Sequence, residues 1–199
     1  YFAYAICVII MGQLFDLFDG RMAEKHGGTK FGPYMDDVAD FVSFGLAPAY
    51  VIIKSGGSAA WLFGLVYVAG VGFRLIRFVA VDKKRTDLPD GIFNGLPSPA
   101  GALIVLGGAL AVDSSALLWL IAVVSVGLML SHLRFAHFGR IIITTIPRPL
   151  FFLMCSCMVV TISFVLRTQN AQIFGYLILA SVTLYMIIGR NMTGVPKQP

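Results

Sequence analysis

Long apolar runs separated by short polar connections make up most of the chain. Seven runs approach the roughly 20 residues that a helix needs to cross the hydrocarbon layer of a membrane. They are Phe2–Ala23, Tyr34–Lys54, Ala59–Val79, Pro97–Val112, Ser115–Ser131, Pro149–Leu166 and Ile173–Gly189. The Pro97–Val112 run is short and rich in glycine, which suits a helix packed among other helices. The pattern predicts an all-α transmembrane bundle of about seven helices, in one domain spanning residues 1–199.

The composition also favours a membrane protein. Of the 199 residues, 58% are hydrophobic and 13% are charged, whereas soluble domains carry about 25% charged residues. Side chains that face lipid must be apolar, so this shortage of charge is expected for an embedded chain. Cys7, Cys155 and Cys157 all lie in apolar runs. We interpret them as helix-packing residues, because their number and spacing do not suit a disulfide framework.

The basic residues fall mainly on one side of the predicted membrane. If the seven runs alternate in direction, 13 of the 15 lysines and arginines border one side, and only Lys54 and Arg167 border the other. The positive-inside rule places the richer side in the cytoplasm. We therefore expect an integral protein of the inner (plasma) membrane with its working face toward the cytoplasm. Seven spans leave Tyr1 outside, and one further helix upstream would bring the terminus inside.

Four aspartates surround the first predicted turn. Asp16 and Asp19 close the first apolar run, and Asp36 and Asp40 open the second. At 100° per residue, the members of the first pair lie about 60° apart and those of the second about 40° apart. Each pair therefore projects from one helical face. Because the turn is short, we expect antiparallel neighbouring helices whose carboxylates converge.

Four converging carboxylates need a counter-charge, which divalent cations would supply. Oxygen ligands favour Mg²⁺ or Mn²⁺, and four carboxylates suggest two cations. Such a site suits phosphoryl-type transfer, with a carboxylate to accept the proton of an attacking hydroxyl. Gly20 and Gly32 would let the backbone approach a ligand closely. Two other interpretations stay open: a cation-transport path, and simple ion pairs with Arg21, Lys25 and Arg77.

The order of these residues resembles the signature of the CDP-alcohol phosphotransferases. The matching run is Asp16-x2-Asp19-Gly20-x2-Ala23 … Gly32-x3-Asp36-x3-Asp40. The resemblance implies that the aspartates bind two divalent cations that hold the CDP pyrophosphate, and that Asp40 is the general base. It also implies that Gly20, Ala23 and Gly32 lie against the cytidine nucleotide. Members of this family are typically homodimers.

Two features of this segment depart from the family pattern. Glu24 stands where the family usually has arginine, and the stretch from there to Gly32 is one residue shorter than usual. Arg21 or Lys25 is then the candidate cation beside the nucleotide. A relative that binds a CDP-linked lipid without turning it over is therefore a further interpretation.

Three segments are similar to those of the membrane-integral phosphatidylserine synthases. They are residues 40–49, which contain Ser43, Phe73–Phe78, which contains Arg74 and Arg77, and Phe93–Ala100. This resemblance implies CDP-diacylglycerol and L-serine as substrates, with release of CMP. The two arginines, one helical turn apart, would bind the serine carboxylate, and Ser43 is a candidate hydrogen-bonding residue.

The same residues allow other acceptors and other roles. Arg74 and Arg77 could simply extend toward lipid phosphates. Arg134, Arg140 or Arg148 could serve a phosphorylated acceptor, such as glycerol phosphate or inositol phosphate. Membrane lipids are the expected surroundings of the chain, and no nucleic-acid partner is expected.

Overall fold

The computed structural model describes residues 3–10, 12–13, 32–81, 91–138 and 170–194, with isolated helical positions between 149 and 167. Within these ranges the protein is mostly helical, and residues 3–10 and 12–13 are part of its helical content. The α-helices with defined bounds are α1 (Gly32–Asp40), α2 (Ala47–Ser55), α3 (Ala60–Ala80), α4 (Ser98–Ala111), α5 (Ser115–Leu130) and α6 (Ala171–Asn191). A short 3₁₀ turn, Met192–Gly194, follows α6.

The prediction of an all-α chain is confirmed in part: the described residues are mostly helical, and two corrections apply. Two strands, β1 (Ile92–Asn94) and β2 (Arg134–Ala136), form a small antiparallel sheet, so the fold is not purely helical. The described part contains six bounded α-helices, which correspond to five of the seven predicted runs, since Tyr34–Lys54 spans both α1 and α2. Much of the other two runs, Phe2–Ala23 and Pro149–Leu166, lies outside the described residues. Among the described helices, α3 and α6 have the length and apolar composition that a membrane crossing requires.

A π-helical segment, Phe41–Leu46, joins α1 to α2 without a break. In a π-helix each backbone N–H bonds to the carbonyl group five residues earlier. The N–H of Ala47 accordingly donates to the Val42 carbonyl. Pro48 lies in the first turn of α2, and a proline ring clashes with the carbonyl four residues before it. We attribute the widened turn to Pro48.

Helices α2 and α3 form an antiparallel hairpin, and the second half of α3 runs alongside the π-helical segment and α1. A Cβ atom added at Gly64 of α3 would lie 3.2 Å from the Ala49 carbonyl oxygen, so the two backbones approach closely there. One at Gly45 would lie 3.4 Å from Val71. Asp37 lies beside the last turns of α3. The acidic end of α1 is therefore level with the end of α3.

Helix α4 is the most enclosed helix of the described bundle. Ten of its fourteen residues are buried, which agrees with the prediction for this glycine-rich run. It packs against α5 and, most extensively, against α6. A Cβ atom added at Gly175 of α6 would lie 2.7 Å from the Gly107 carbonyl oxygen, so these helices meet backbone to backbone. By contrast, α3 exposes large apolar side chains, including Trp61, Phe73 and Ile76.

Candidate functional site

Helix α1 carries two of the predicted site carboxylates. Asp36 is exposed and Asp40 is half-buried, and both lie within the α-helical residues Gly32–Asp40. A separation of four residues puts their side chains about 40° apart around the helix. Gly32, predicted to contact a nucleotide, is the first residue of the same helix. The described geometry thus places a pair of carboxylates on one face of α1.

The other half of the predicted site lies outside the described residues. This applies to Asp16 and Asp19, and also to Gly20, Arg21 and Ala23. Within the described part, no three His, Cys, Asp or Glu side chains come together. The carboxylate pair of α1 has the donor chemistry that suits Mg²⁺ or Mn²⁺. Metal binding by the four aspartates stays a prediction.

An open hollow of about 290 Å³ separates α1 from the end of α3. Asp37 lines it together with Leu75, Ile76, Val79 and Ala80, so its wall is apolar apart from one acidic residue. Ile76 is 68% exposed. This is a surface that an acyl chain could cover, next to the helix that carries Asp36 and Asp40.

Arg74 holds the segment that begins α4. Its side chain is buried, with Nε donating to the Leu96 carbonyl oxygen at 3.0 Å and Nη1 donating to Ser98 Oγ at 2.8 Å. The rings of Phe78 and Phe93 lie 5.8 and 5.9 Å from its guanidinium carbon. A buried charge requires polar partners of this kind. Arg74 therefore fixes the start of α4 against α3.

Arg77 joins α3 to the end of α5 and to β1. Its Nη1 donates to the Leu130 carbonyl oxygen at 2.8 Å, and its Nη2 donates to those of Asn94 at 2.8 Å and Met129 at 3.1 Å. The last carbonyl groups of a helix have no partner within the helix, and the helix dipole favours a cation there. Arg77 therefore caps the C-terminus of α5.

The turn after β1 is held by backbone hydrogen bonds as well. Gly95 N–H donates to the Leu133 carbonyl oxygen at 2.7 Å, and Leu96 N–H donates to that of Leu128 at 3.0 Å. Gly95 has φ +85°, a conformation that glycine adopts without strain. The arginines, the small sheet and this turn thus form one connected cluster at the end of α3.

The structure places the predicted acceptor-binding residues in two locations. Ser43 is half-buried in the π-helical segment, whereas Arg74 and Arg77 face the start of α4 and the end of α5. At 100° per residue, the mean direction of the two arginines lies about 160° from the mean direction of the α3 residues that line the hollow. The hydrogen bonds described above for both arginines are with the protein itself, and a role in binding serine stays a prediction.

We expect Arg77→Met to destabilise the protein by about 3 kcal/mol, because three partly buried carbonyl groups lose a charged donor. Methionine keeps the apolar length of the side chain, which limits the loss to hydrogen bonding. Thermal unfolding in detergent would measure the change. Arg134→Met is the matched control, since Arg134 is an exposed arginine of β2. An equal effect of both substitutions would contradict the capping role.

Comparison with known proteins adds the family context. The family model described as CDP-alcohol phosphatidyltransferase matches residues 1–131. A CDP-diacylglycerol–serine O-phosphatidyltransferase of Methanocaldococcus jannaschii is 32% identical over 133 residues, which cover 66% of this chain and 63% of that protein. Proteins with the same name from Mycobacterium leprae and Saccharomyces cerevisiae are 37% and 35% identical, each over 109 residues.

These two alignments cover 52% and 51% of the chain, and 36% and 39% of the respective relatives. The chain therefore spans less than two thirds of the length of each of these relatives. The family match nevertheless extends over more than half of the chain, from residue 1 through α5. The chain belongs to the CDP-alcohol phosphatidyltransferase family.

Proposed function

We propose that the protein is a CDP-diacylglycerol–serine O-phosphatidyltransferase, which transfers the phosphatidyl group from CDP-diacylglycerol to L-serine and releases CMP. The observation that carries this proposal is the shared name of the relatives from three organisms, at 32–37% identity. The carboxylate pair on α1, next to an open apolar hollow, suits a substrate with both a charged pyrophosphate and acyl chains.

In this proposal, Asp40 acts as general base. Its carboxylate accepts the proton of the serine hydroxyl, whose oxygen forms a bond to the lipid-side phosphorus. The bond between that phosphorus and the bridging oxygen breaks, and CMP leaves with the electron pair. Gly20, Arg21, Ala23 and Gly32 would lie against the cytidine nucleotide.

Asp16, Asp19, Asp36 and Asp40 would hold two divalent cations, Mg²⁺ or Mn²⁺. When bound, these cations supply positive charge that neutralises the pyrophosphate. Phosphoryl-type transfer is accelerated mainly by positioning of the reacting groups and by electrostatic stabilisation. The carboxylates would contribute to both, because they fix where the pyrophosphate binds.

The acceptor is proposed to bind near the end of α3. Arg74 and Arg77 would provide the positive charge for the serine carboxylate, and Ser43 a hydrogen bond. Serine recognition would then require these arginines to serve the substrate in addition to the carbonyl groups they already bind.

We also propose that residues 1–199 form a single domain of about seven transmembrane helices in the inner membrane. The basic connections would lie in the cytoplasm, on the same side as the active site, and the protein would form a homodimer. The apolar exposed surface of α3 and the composition of α6 support membrane insertion.

An acceptor panel tests the proposal. Purified protein in lipid nanodiscs receives CDP-diacylglycerol, Mn²⁺ or Mg²⁺, and labelled serine, glycerol phosphate or inositol phosphate in separate reactions. We expect CMP release and labelled lipid with serine, and loss of both after addition of EDTA. Turnover with a phosphorylated acceptor alone would contradict serine as the substrate and leave the family assignment unchanged.

A further inference from the structure

Two buried side chains bind the π-helical segment that directly follows Asp40. Gln13 Nε2 donates to the Ser43 carbonyl oxygen at 3.1 Å. The hydroxyl group of Tyr67, on α3, donates to the Phe44 carbonyl oxygen at 3.1 Å. Adjacent carbonyl groups of one turn are thus held from two different helical segments.

Pro48 explains why these carbonyl groups accept side-chain donors. In an α-helix the N–H of residue 48 would bond to the carbonyl of Phe44, and in a π-helix to that of Ser43. Proline has no N–H, so neither bond can form. Buried carbonyl groups nearly always have a donor. Gln13 and Tyr67 supply the donors that Pro48 cannot.

The burial of Gln13 argues against a role in packing alone. Gln13 is 6% exposed, and Tyr67 is fully buried. Within the part of the chain that the structure describes, Gln13 Oε1 is a buried acceptor without a hydrogen-bond partner. Such an atom costs free energy, which an apolar side chain of similar length would avoid. The benefit of Gln13 must therefore come from its Nε2 donor.

From this arrangement, and resting on the proposed function, we propose that Gln13 and Tyr67 are positioning residues that act on Asp40 through the π-helical segment. A π turn holds about one residue more than an α turn, so it sets the rotation of α1 relative to α2. Relaxation of the wide turn to α-helix would rotate Asp36 and Asp40 by about 100°. By holding the wide turn open, the two hydrogen bonds keep α1 in its rotation relative to α2, and so fix the direction in which Asp36 and Asp40 project.

The first test uses Tyr67→Phe and Gln13→Met, each of which removes one donor and keeps most of the side chain. We expect kcat to fall about tenfold for each, because small misplacements of catalytic groups have effects of this order or larger. KM for the acceptor should change far less than kcat. Binding of Mn²⁺, followed by its electron paramagnetic resonance signal without any substrate, should weaken in both variants.

Ser125→Ala is the matched control. Ser125 is a buried residue whose hydroxyl donates to the helical carbonyl of Gly101 at 3.0 Å, so its replacement also removes one buried side-chain donor to a helix. We expect it to leave kcat and Mn²⁺ binding close to wild type. The melting temperatures of all three variants should be similar if the effect of Tyr67 and Gln13 is on position rather than on folding.

Pro48→Ala provides a test that removes no hydrogen-bond donor. The restored N–H can bond to the Phe44 carbonyl, so the segment can close as an ordinary α-helix. We expect an equal or higher melting temperature together with a lower kcat and weaker Mn²⁺ binding. A merely structural role of the π-helical segment would not combine greater stability with lower activity.

The inference is overturned if Tyr67→Phe, Gln13→Met and Pro48→Ala all keep wild-type kcat and Mn²⁺ binding. Failure of the proposed function is recognised separately, because the wild-type protein would then use another acceptor in the panel. The variants would be compared with that acceptor, and Mn²⁺ binding requires no acceptor at all.

Discussion

Replacing Asp40 by asparagine is expected to lower kcat by about 10²–10⁴-fold, the usual contribution of a positioned general base. Asparagine has nearly the same size but cannot accept the proton of the acceptor hydroxyl. It is also a weaker ligand for a divalent cation than a carboxylate. Initial rates of CMP release at saturating CDP-diacylglycerol and acceptor would measure the effect.

The neighbouring Asp37 provides a matched control for this substitution. Asp37 lies on the same helix but lines the apolar hollow beside Leu75 and Val79, and it is outside the predicted metal-binding set. Asp37→Asn should therefore keep most of the wild-type rate. If Asp37→Asn abolished turnover while Asp40→Asn preserved it, the assignment of Asp40 as general base would be wrong.

The second large effect is expected for Gly95→Ala, which should destabilise the protein by about 3–5 kcal/mol. Gly95 has φ +85°, a conformation that is strained for alanine. The added Cβ atom would also overlap the Met129 carbonyl oxygen and lie 2.8 Å from Arg77 Nη2. Neither the backbone carbonyl nor the partly buried guanidinium can move without breaking the cap of α5.

Unfolding in detergent, followed by temperature or denaturant, would measure the loss at Gly95. Gly127→Ala is the matched control, because Gly127 lies in α5 and its added Cβ would have no atom within 4 Å apart from its chain neighbours and the nearby backbone of its own helix. Alanine is favoured over glycine in a helix by up to about 1 kcal/mol, so this variant should be slightly more stable. Equal stability of Gly95→Ala and the wild type would contradict the described turn geometry.

The positions of most helices could be predicted because each apolar run is long and bounded by polar residues. The predicted Pro97–Val112 and Ser115–Ser131 correspond to α4 (Ser98–Ala111) and α5 (Ser115–Leu130). Ser114 ends the break between them, and its hydroxyl accepts a hydrogen bond from Leu117 N–H at 3.4 Å. Apolar length and a capping serine are both visible in a sequence.

The strands could not be predicted in the same way. Each has three residues, and β1 pairs with β2 across about forty residues of chain, with Phe93 opposite Phe135. Three residues show no periodicity, so the pairing depends on the helices that bring the segments together. The similarity of Phe93–Ala100 to a segment of the phosphatidylserine synthases identified this part of the chain, but it did not predict that Ile92–Asn94 forms a strand.

The π-helical segment was also missed, although Pro48 provides a signal for it. A proline inside a continuous apolar run predicts a disturbed helix, but not whether the helix kinks, ends or widens. That outcome depends on which donors lie nearby, here Gln13 and Tyr67, which are 30 and 23 residues from their acceptors in the chain. The spacing of Asp36 and Asp40 was predictable, because both lie in regular α-helix before the segment.

The contact between Gly107 of α4 and Gly175 of α6 has a consequence for experiments that shorten the chain. The family match ends at residue 131, yet α6 lies directly on a helix within the matched portion. Deleting the last third of the chain would remove α6. The backbone and small side chains of α4 that α6 now covers would then be exposed. The match to the family model therefore ends before the packing of α4 does, and a fragment that ends at residue 131 would expose the face of α4 that α6 covers.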